Sequence, residues 1–242
     1  MIPDKTRILF LAGIGVALFA LGYIFHTASL FGWYRAFSFI TPMVYLGMLF
    51  YFLKKETEKL LVVFFVLYAL SRLATVLYEI EFMASLFLIL NSLALLSLVK
   101  YASRSVDFSA MNLFYKIIFG LVIAINAYFV YLLIVSVKDV TLSDFHYVML
   151  LFDGACAILL AFVTLLYNHQ SGNKASMFFL IAVFVLIFSQ VFLVLGYYEL
   201  GYDENVAVHI ARILLIISCL MFVRHNIVKP LTAENHEDAS AS

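Results

Sequence analysis

Charged residues are scarce in this chain of 242 residues. Asp, Glu, Lys and Arg together make up 12% of it, whereas soluble domains carry about 25%. Hydrophobic residues make up 65%, and the mean hydropathy is +1.06. The 15 basic residues equal the 15 acidic ones, so the chain has no positive excess with which to bind nucleic acid. This composition excludes a soluble protein and predicts an all-α integral membrane protein.

Motifs for metal, cofactor and covalent chemistry are also missing. The two cysteines, Cys156 and Cys219, lie in apolar segments and lack the CxxC spacing of a metal site. His26, His146 and His209 show no HxxH or HExxH spacing, so we interpret them as solvated interfacial histidines. Every lysine falls at a helix end or in a loop, which excludes a retinal Schiff base in the membrane interior. The sequence therefore predicts no metal and no cofactor.

Long apolar runs dominate the rest of the chain. Eight segments reach the roughly 20 residues that a helix needs to cross a hydrocarbon core of about 30 Å. They cover approximately 7–26, 33–53, 59–79, 82–100, 113–137, 145–167, 175–198 and 205–224. We predict an eight-helix transmembrane domain over residues 1–229, with its first helix retained. Residues 230–242 are polar and without periodicity, which predicts a disordered cytoplasmic tail.

Lysine and arginine positions predict the orientation of these helices. With the N-terminus inside, eleven basic residues face the cytoplasm, whereas only Arg35 and Lys138 face outward. The eleven are Lys5, Arg7, Lys54, Lys55, Lys59, Lys100, Arg104, Lys116, Lys174, Arg224 and Lys229. The outer loops are acidic and rich in tyrosine, for example at 197–204. Both termini are therefore predicted to be cytoplasmic, in what we expect to be a bacterial inner (plasma) membrane.

Three charged residues, Arg72, Asp153 and Arg212, lie inside the apolar segments. A charge near the bilayer centre costs about 2.5–3.5 kcal/mol on insertion scales, so such residues usually face the bundle interior and mark a ligand or proton site. Two cations and one anion leave a surplus positive charge. A phosphate or carboxylate that enters from the outer leaflet would neutralise it.

Three uncharged polar residues are predicted to share the layer of these charges, between the bilayer centre and its outer third. They are Asn91, Asn126 and Gln190. They could contribute to a substrate pocket. Alternatively, they join helices through interhelical hydrogen bonds, which are worth about 0.6 kcal/mol on average.

A faint internal repeat relates two parts of the chain. LYALSRLATVL at 67–77 aligns with VLIFSQVFLVL at 185–195, which places Arg72 opposite Gln190. FLILNSLALLSLV at 87–99 aligns more loosely with VHIARILLIISCLMF at 208–222. Four helices in each half, both starting on the inside, predict a parallel repeat and not an inverted one.

The helix layout and a few short motifs resemble a known family. They are eight helices in 242 residues, a proline in helix two (TPMVYLGMLF at 41–50), small-polar pairs at 71–72 (SR) and 189–190 (SQ), and a compact eighth helix. Over most of residues 7–224 the chain resembles the YhhN-type lysoplasmalogenases. Members of that family are integral membrane hydrolases that cleave the vinyl ether bond of lysoplasmalogens, releasing an aldehyde and a glycerophospho-base. The resemblance implies an eight-helix bundle with a membrane lipid as its substrate or ligand.

The chain departs from that family's pattern at two positions. Where the family carries an acidic residue in helix three and in helix seven, this chain has Arg72 and Gln190. Asp153 is then the only carboxylate at depth in the sequence, and vinyl ether hydrolysis needs a general acid that protonates carbon. An arginine paired directly with Asp153 would keep it ionised and make it a poor acid.

Two hypotheses of different classes follow. The first is a lysoplasmalogenase-like lipid ether hydrolase, with Asp153 as acid/base and Arg72 and Arg212 as phosphate clamps. Its pocket would also include Asn91, Asn126 and Gln190. The second is a non-catalytic lipid-binding or membrane-partner protein that kept the fold after losing the family's acidic residues. A transporter or sensor is disfavoured, because little apart from Pro42 breaks the helices and no signalling domain is present.

Overall fold

A computed structural model describes residues 4–53, 57–107, 109, 111–198 and 206–240. Within these residues every regular element is helical. The helices are α1 (Asp4–Thr27), α2 (Phe31–Leu53), α3 (Lys59–Ala74), α4 (Glu81–Ser103), α5 (Leu113–Ser136), α6 (Asp144–Ser171), α7 (Lys174–Tyr198) and α8 (Val206–Ser240). Short 3₁₀ turns at Thr75–Leu77 and Lys138–Val140 follow α3 and α5.

Each of the eight helices, with α3 extended by its 3₁₀ turn, is long and apolar enough to cross a membrane. This confirms the prediction of eight apolar helices, and each observed helix overlaps its predicted segment. The side of the membrane on which the termini lie, and the internal repeat, stay predictions. Lys54, Lys55 and the acidic loop at 199–205 lie outside the described residues.

Contacts between distant parts of the chain define two ends of the bundle. At the end where α1 begins, which we call the N-terminal end, Lys229 Nζ of α8 lies 2.7 Å from Glu58 Oε1, just before α3. At the opposite end, Arg35 of α2 pairs with Glu79, which lies between α3 and α4. Successive helices therefore run in alternating directions. The two arginines and the aspartate of interest lie between these ends.

The core of the bundle is formed by α2, α3, α4, α6, α7 and α8. Aromatic side chains fill much of it, and the ring centroids of Phe64 (α3) and Phe222 (α8) are 5.0 Å apart. α5 packs mainly against α6 and leaves most of its apolar side chains exposed. A helix that is apolar all round is stable when lipid covers its outer face. The exposed apolar surface therefore agrees with a membrane protein.

Local sequence signals explain where several helices begin and end. The side chains of Asn112 and Ser143 accept hydrogen bonds from the backbone of the first turns of α5 and α6. Gly172 ends α6 in the left-handed region at φ +58°, where a glycine has no Cβ to clash. These signals fix where the two connections begin or end.

The final helix differs from the sequence prediction. A disordered tail was expected from residue 230, yet the backbone of α8 continues as helix to Ser240. Residues 231–240 contain Ala233, Glu234 and Glu237, which are favourable in helices. Extending an existing helix is also cheaper than nucleating a new one. Pro230 opposes the extension, because it removes one backbone donor at the start of this stretch.

Candidate functional site

A cluster of hydrogen-bonded side chains surrounds Asp153 in the core. Nδ2 of Asn91 lies 2.8 and 2.9 Å from the two carboxylate oxygens of Asp153. Oγ of Ser92 donates to Oδ1 of Asp153 at 2.9 Å, and Nε2 of Gln190 donates to Oδ1 of Asn91 at 3.2 Å. We call these four residues the carboxylate cluster. It joins α4, α6 and α7, and its members are between 0% and 9% exposed.

The cluster follows from adjacent polar residues on one helix. Asn91 and Ser92 are consecutive in α4, and both turn toward Asp153 of α6. A buried carboxylate is costly unless hydrogen-bond donors surround it, and here both of its oxygens accept. Gln190 fixes the orientation of the Asn91 amide, because the N–H of Gln190 donates to the amide oxygen of Asn91. The amide nitrogen of Asn91 therefore faces Asp153.

A small cavity lies beside the carboxylate cluster. It holds about 20 Å³, which is room for one water molecule. Its polar lining comes from Tyr78, Asn91, Asp153, Gln190, Tyr197 and Tyr198. A water molecule there would have several hydrogen-bonding groups around it, including the carboxylate.

Arg72 and Arg212 line a second cavity, of about 10 Å³, together with Ser38, Thr75 and Ser189. We call it the arginine cavity. Arg72 is 3% exposed, donates to the hydroxyl of Tyr68 at 2.7 Å, and lies 4.5 Å from the centre of that ring. Arg212 donates to the backbone oxygen of Tyr34 and lies 3.4 Å from the centre of the Tyr34 ring.

Both guanidinium groups retain unused hydrogen-bonding capacity. Nε of Arg72 and Nε of Arg212 are enclosed by protein and have no hydrogen-bond partner in the described part of the chain. Two cations that line one cavity, each with an unpaired donor, are suited to a phosphate or a carboxylate. The arginine cavity can therefore bind an anion if its walls open.

The arginines do not pair with Asp153, contrary to one expectation from the sequence. No arginine nitrogen lies within 4.0 Å of its carboxylate among the described residues, because Asn91 and Ser92 occupy both oxygens. Arg72 is nevertheless near enough to act on Asp153 electrostatically. The two cavities share Leu193 and Tyr197 of α7 as a common wall.

The prediction for Asn126 was wrong. It was predicted to share the polar layer inside the bundle, but it lies on the exposed surface of α5 and donates to the backbone oxygen of Val122 at 2.8 Å. Because α5 packs mainly against α6, this side chain has no access to the carboxylate cluster. The other five predicted site residues gather around the two adjoining cavities.

The sequence did not indicate a group of three side chains, His146, Tyr78 and Tyr198, that adjoins the first cavity. His146 was interpreted as a solvated interfacial residue, yet it is 0% exposed. Its Nε2 lies 2.5 Å from the hydroxyl of Tyr198 and 3.4 Å from that of Tyr78, and both tyrosines line the cavity at Asp153. Burial raises the pKa of Tyr78 far above its usual range, so this hydroxyl stays neutral. Three different segments supply the group, so no local spacing in the sequence indicates it.

The other predicted outer histidines do lie together. The ring centroids of His26 and His209 are 4.6 Å apart, and Nδ1 of His209 lies 2.7 Å from the hydroxyl of Tyr34, the residue beneath Arg212. In the described part of the chain no three His, Cys, Asp or Glu residues come together as metal ligands would.

Comparisons of the chain with protein-family models, curated proteins and solved structures gave no match. The candidate site combines a buried carboxylate beside a water-sized cavity with a two-arginine cavity behind a shared wall.

Proposed function

We propose that this protein is an intramembrane hydrolase of a lysophospholipid-type lipid with a vinyl ether bond. The observation that carries the proposal is the common wall of Leu193 and Tyr197, which separates the arginine cavity from the cavity at Asp153. A lysolipid has an anionic phosphate a few bonds from its ether oxygen. The arginines would bind that phosphate while Asp153 faces the ether.

The chemistry needs one proton donor and one water molecule. Protonation of the vinyl carbon gives an oxocarbenium ion, water adds to it, and the resulting hemiacetal separates into an aldehyde and a glycerophospho-base. Asp153 acts as the acid and then as the base that takes a proton from the water. No arginine nitrogen of the described residues lies within ion-pair distance of Asp153, which supports this role, because direct pairing would hold the carboxylate ionised.

Substrate binding requires a change of shape. Cavities of about 20 and 10 Å³ are far smaller than a lipid headgroup, so the wall formed by Leu193 and Tyr197 must move before a lysolipid can reach both sites. The gap between α7 and its neighbours at the opposite end of the bundle is the proposed entrance. Under the predicted topology, this end faces the outer leaflet of a bacterial inner membrane.

A second function is favoured by one specific observation. Three hydrogen bonds from Asn91 and Ser92 already satisfy the oxygens of Asp153, and the positions that are acidic in YhhN-type enzymes carry Arg72 and Gln190. On this alternative the protein binds a lipid anion through its arginines without hydrolysing it, and the carboxylate cluster serves to hold α4, α6 and α7 together.

Incubating the purified protein with a panel of lysolipids separates the two functions. The panel contains alkenyl, alkyl and acyl lysophospholipids, and the products are analysed by mass spectrometry. The hydrolase predicts an aldehyde from the alkenyl lipid alone, and no aldehyde from the Asp153→Asn variant. Undiminished aldehyde release by that variant would exclude Asp153 as the acid. Binding of the lipids without any product would support the non-catalytic function.

A further inference from the structure

A much larger cavity lies at the N-terminal end of the bundle, away from the carboxylate cluster and the arginine cavity. It is a groove of about 340 Å³ between the first turns of α1 and the last turns of α2. Its lining residues are Thr6, Arg7, Phe10, Met48, Tyr51 and Phe52. The proposed hydrolase makes no use of it.

The position of the groove along the two helices sets its depth in a bilayer. Thr6 is the first residue of the apolar span of α1, and Phe52 is the last residue of the span of α2. The rim of the groove therefore lies at the level of lipid headgroups. Phe10 is four residues further along α1, or about 6 Å deeper, so the floor of the groove reaches the acyl chains.

Arg7 provides one cation at this rim. In the described part of the chain no carboxylate lies within 4.0 Å of it, and its Nε is enclosed by protein without a hydrogen-bond partner. Its guanidinium lies 5.7 Å from the centre of the Phe52 ring, and both residues line the groove. A planar guanidinium that has no carboxylate partner among the described residues matches the oxygens of a phosphate.

The walls below Arg7 are apolar and open to the side. Phe10 is 52% exposed and Tyr51 is 65% exposed, and both lie within the apolar spans. A volume of about 340 Å³ is within the range of pockets for small ligands. An apolar groove of this size that opens toward lipid is occupied by an acyl chain more favourably than by water.

We propose that this groove is a binding site for one acidic phospholipid from the leaflet at the N-terminal end, with the headgroup phosphate on Arg7 and one acyl chain along Phe10 and Met48. A lipid with net negative charge suits the site better than a zwitterionic one, because the cation of a choline headgroup competes with Arg7 for the phosphate. The predicted cytoplasmic location agrees, since acidic lipids attract basic residues at that surface.

Native mass spectrometry of the full chain in detergent tests the site with two probes, dioctanoyl phosphatidylglycerol and dioctanoyl phosphatidylcholine. We expect one phosphatidylglycerol per chain in preference to phosphatidylcholine. Arg7→Gln should weaken phosphatidylglycerol binding about tenfold or more, the loss of a charge-assisted hydrogen bond. Lys59→Gln is the matched control, because it removes one exposed cation at the same end outside the groove, and it should leave the affinity unchanged.

Two further variants keep the test decisive. Arg7→Lys retains the charge but lacks the planar guanidinium, so its affinity for phosphatidylglycerol should lie between those of the parent and of Arg7→Gln. This variant also keeps the test valid if Arg7→Gln fails to fold. Met48→Trp fills the floor of the groove and should weaken binding while Arg7 is intact. Equal losses in Arg7→Gln and Lys59→Gln would overturn the proposal in favour of diffuse attraction. Equal binding of both lipids, binding of glycerophosphoglycerol as tight as that of the lipid, or no effect of Met48→Trp would each overturn it as well.

Discussion

Asn91 of α4 holds Asp153 of α6 through a single amide nitrogen, which lies 2.8 Å from one carboxylate oxygen and 2.9 Å from the other. The amide is itself fixed by Gln190 of α7 on its other side. One aspartate is thereby tied to two further helices, and none of the described arginines lies within ion-pair distance of it. This arrangement decides what each substitution in the cluster should do.

Exchanging the side chains of Asn91 and Asp153 should preserve the stability of the bundle while moving the negative charge from α6 to α4. Asp153→Asn alone places an amide N–H against the amide of Asn91, and two facing donors should cost about 1–3 kcal/mol. Asn91→Asp combined with Asp153→Asn restores an acceptor for every donor, because the carboxylate at 91 accepts from the new amide and from Gln190. Thermal unfolding in detergent should show most of the lost stability regained in the double variant.

The same pair of variants separates stability from chemistry. If Asp153 is the acid, the double variant should be stable yet inactive against the alkenyl lysolipid, since the carboxyl group has moved to α4. Combining Asp153→Asn with Arg72→Gln should recover little stability, because those two residues form no ion pair. A strong recovery from the arginine change would contradict the observed arrangement.

The sequence predicted the helices of this protein better than it predicted the contacts between their side chains. The eight helices follow from long apolar runs, a signal carried by each segment alone. Asp153, Arg72 and Arg212 could be identified because a charge in such a run is expensive. Their partners could not, since pairing depends on how the helices rotate about their axes. Asn126 and Asn91 look alike in sequence, yet one faces outward on α5 and the other faces the core.

The arginine cavity should bind a phosphate through both of its cations. Arg72→Gln and Arg212→Gln should each weaken the binding of lysophosphatidylcholine about tenfold, because each removes a charge-assisted contact. Arg104→Gln is the control, since it removes an exposed cation that directly follows α4 and does not line the arginine cavity. Titration of the lipid by native mass spectrometry gives the affinities. Equal losses in all three variants would point to non-specific attraction.

The ion pair between Arg35 and Glu79 should make a small, acid-sensitive contribution to stability. Burial raises the pKa of Glu79, but the hydrogen bond and charge of Arg35 outweigh it, so the pKa lies below its usual value of 4.5. A depressed pKa means that the stabilisation is present above about pH 4.5 and is lost as the pH falls through the folded-state value. Because the Glu79 side chain is 66% exposed, we expect only about 0.2–1 kcal/mol.

Glu79→Gln tests this expectation by comparison with the parent protein. The variant should unfold at a slightly lower temperature at pH 7, and the difference should shrink as the pH falls below about 4.5. It should also shrink at high salt, because exposed ion pairs are screened. A difference in unfolding temperature that grows as the pH falls would contradict a lowered pKa of Glu79.

The topology determines which leaflet can supply the lipid. With Cys156 and Cys219 replaced by alanine, single cysteines at Ser105 and Asp139 report on the two ends of the bundle, and both positions are exposed. A membrane-impermeant maleimide should label position 139 in intact cells and position 105 only after the membrane is opened, because Ser105 follows α4 at the basic N-terminal end. Labelling of both from one side would contradict an alternating bundle. Labelling of position 105 alone in intact cells would show that the bundle has the opposite orientation. The arginine cavity, which lies nearer the end of Asp139, would then draw its lipid from the cytoplasmic leaflet.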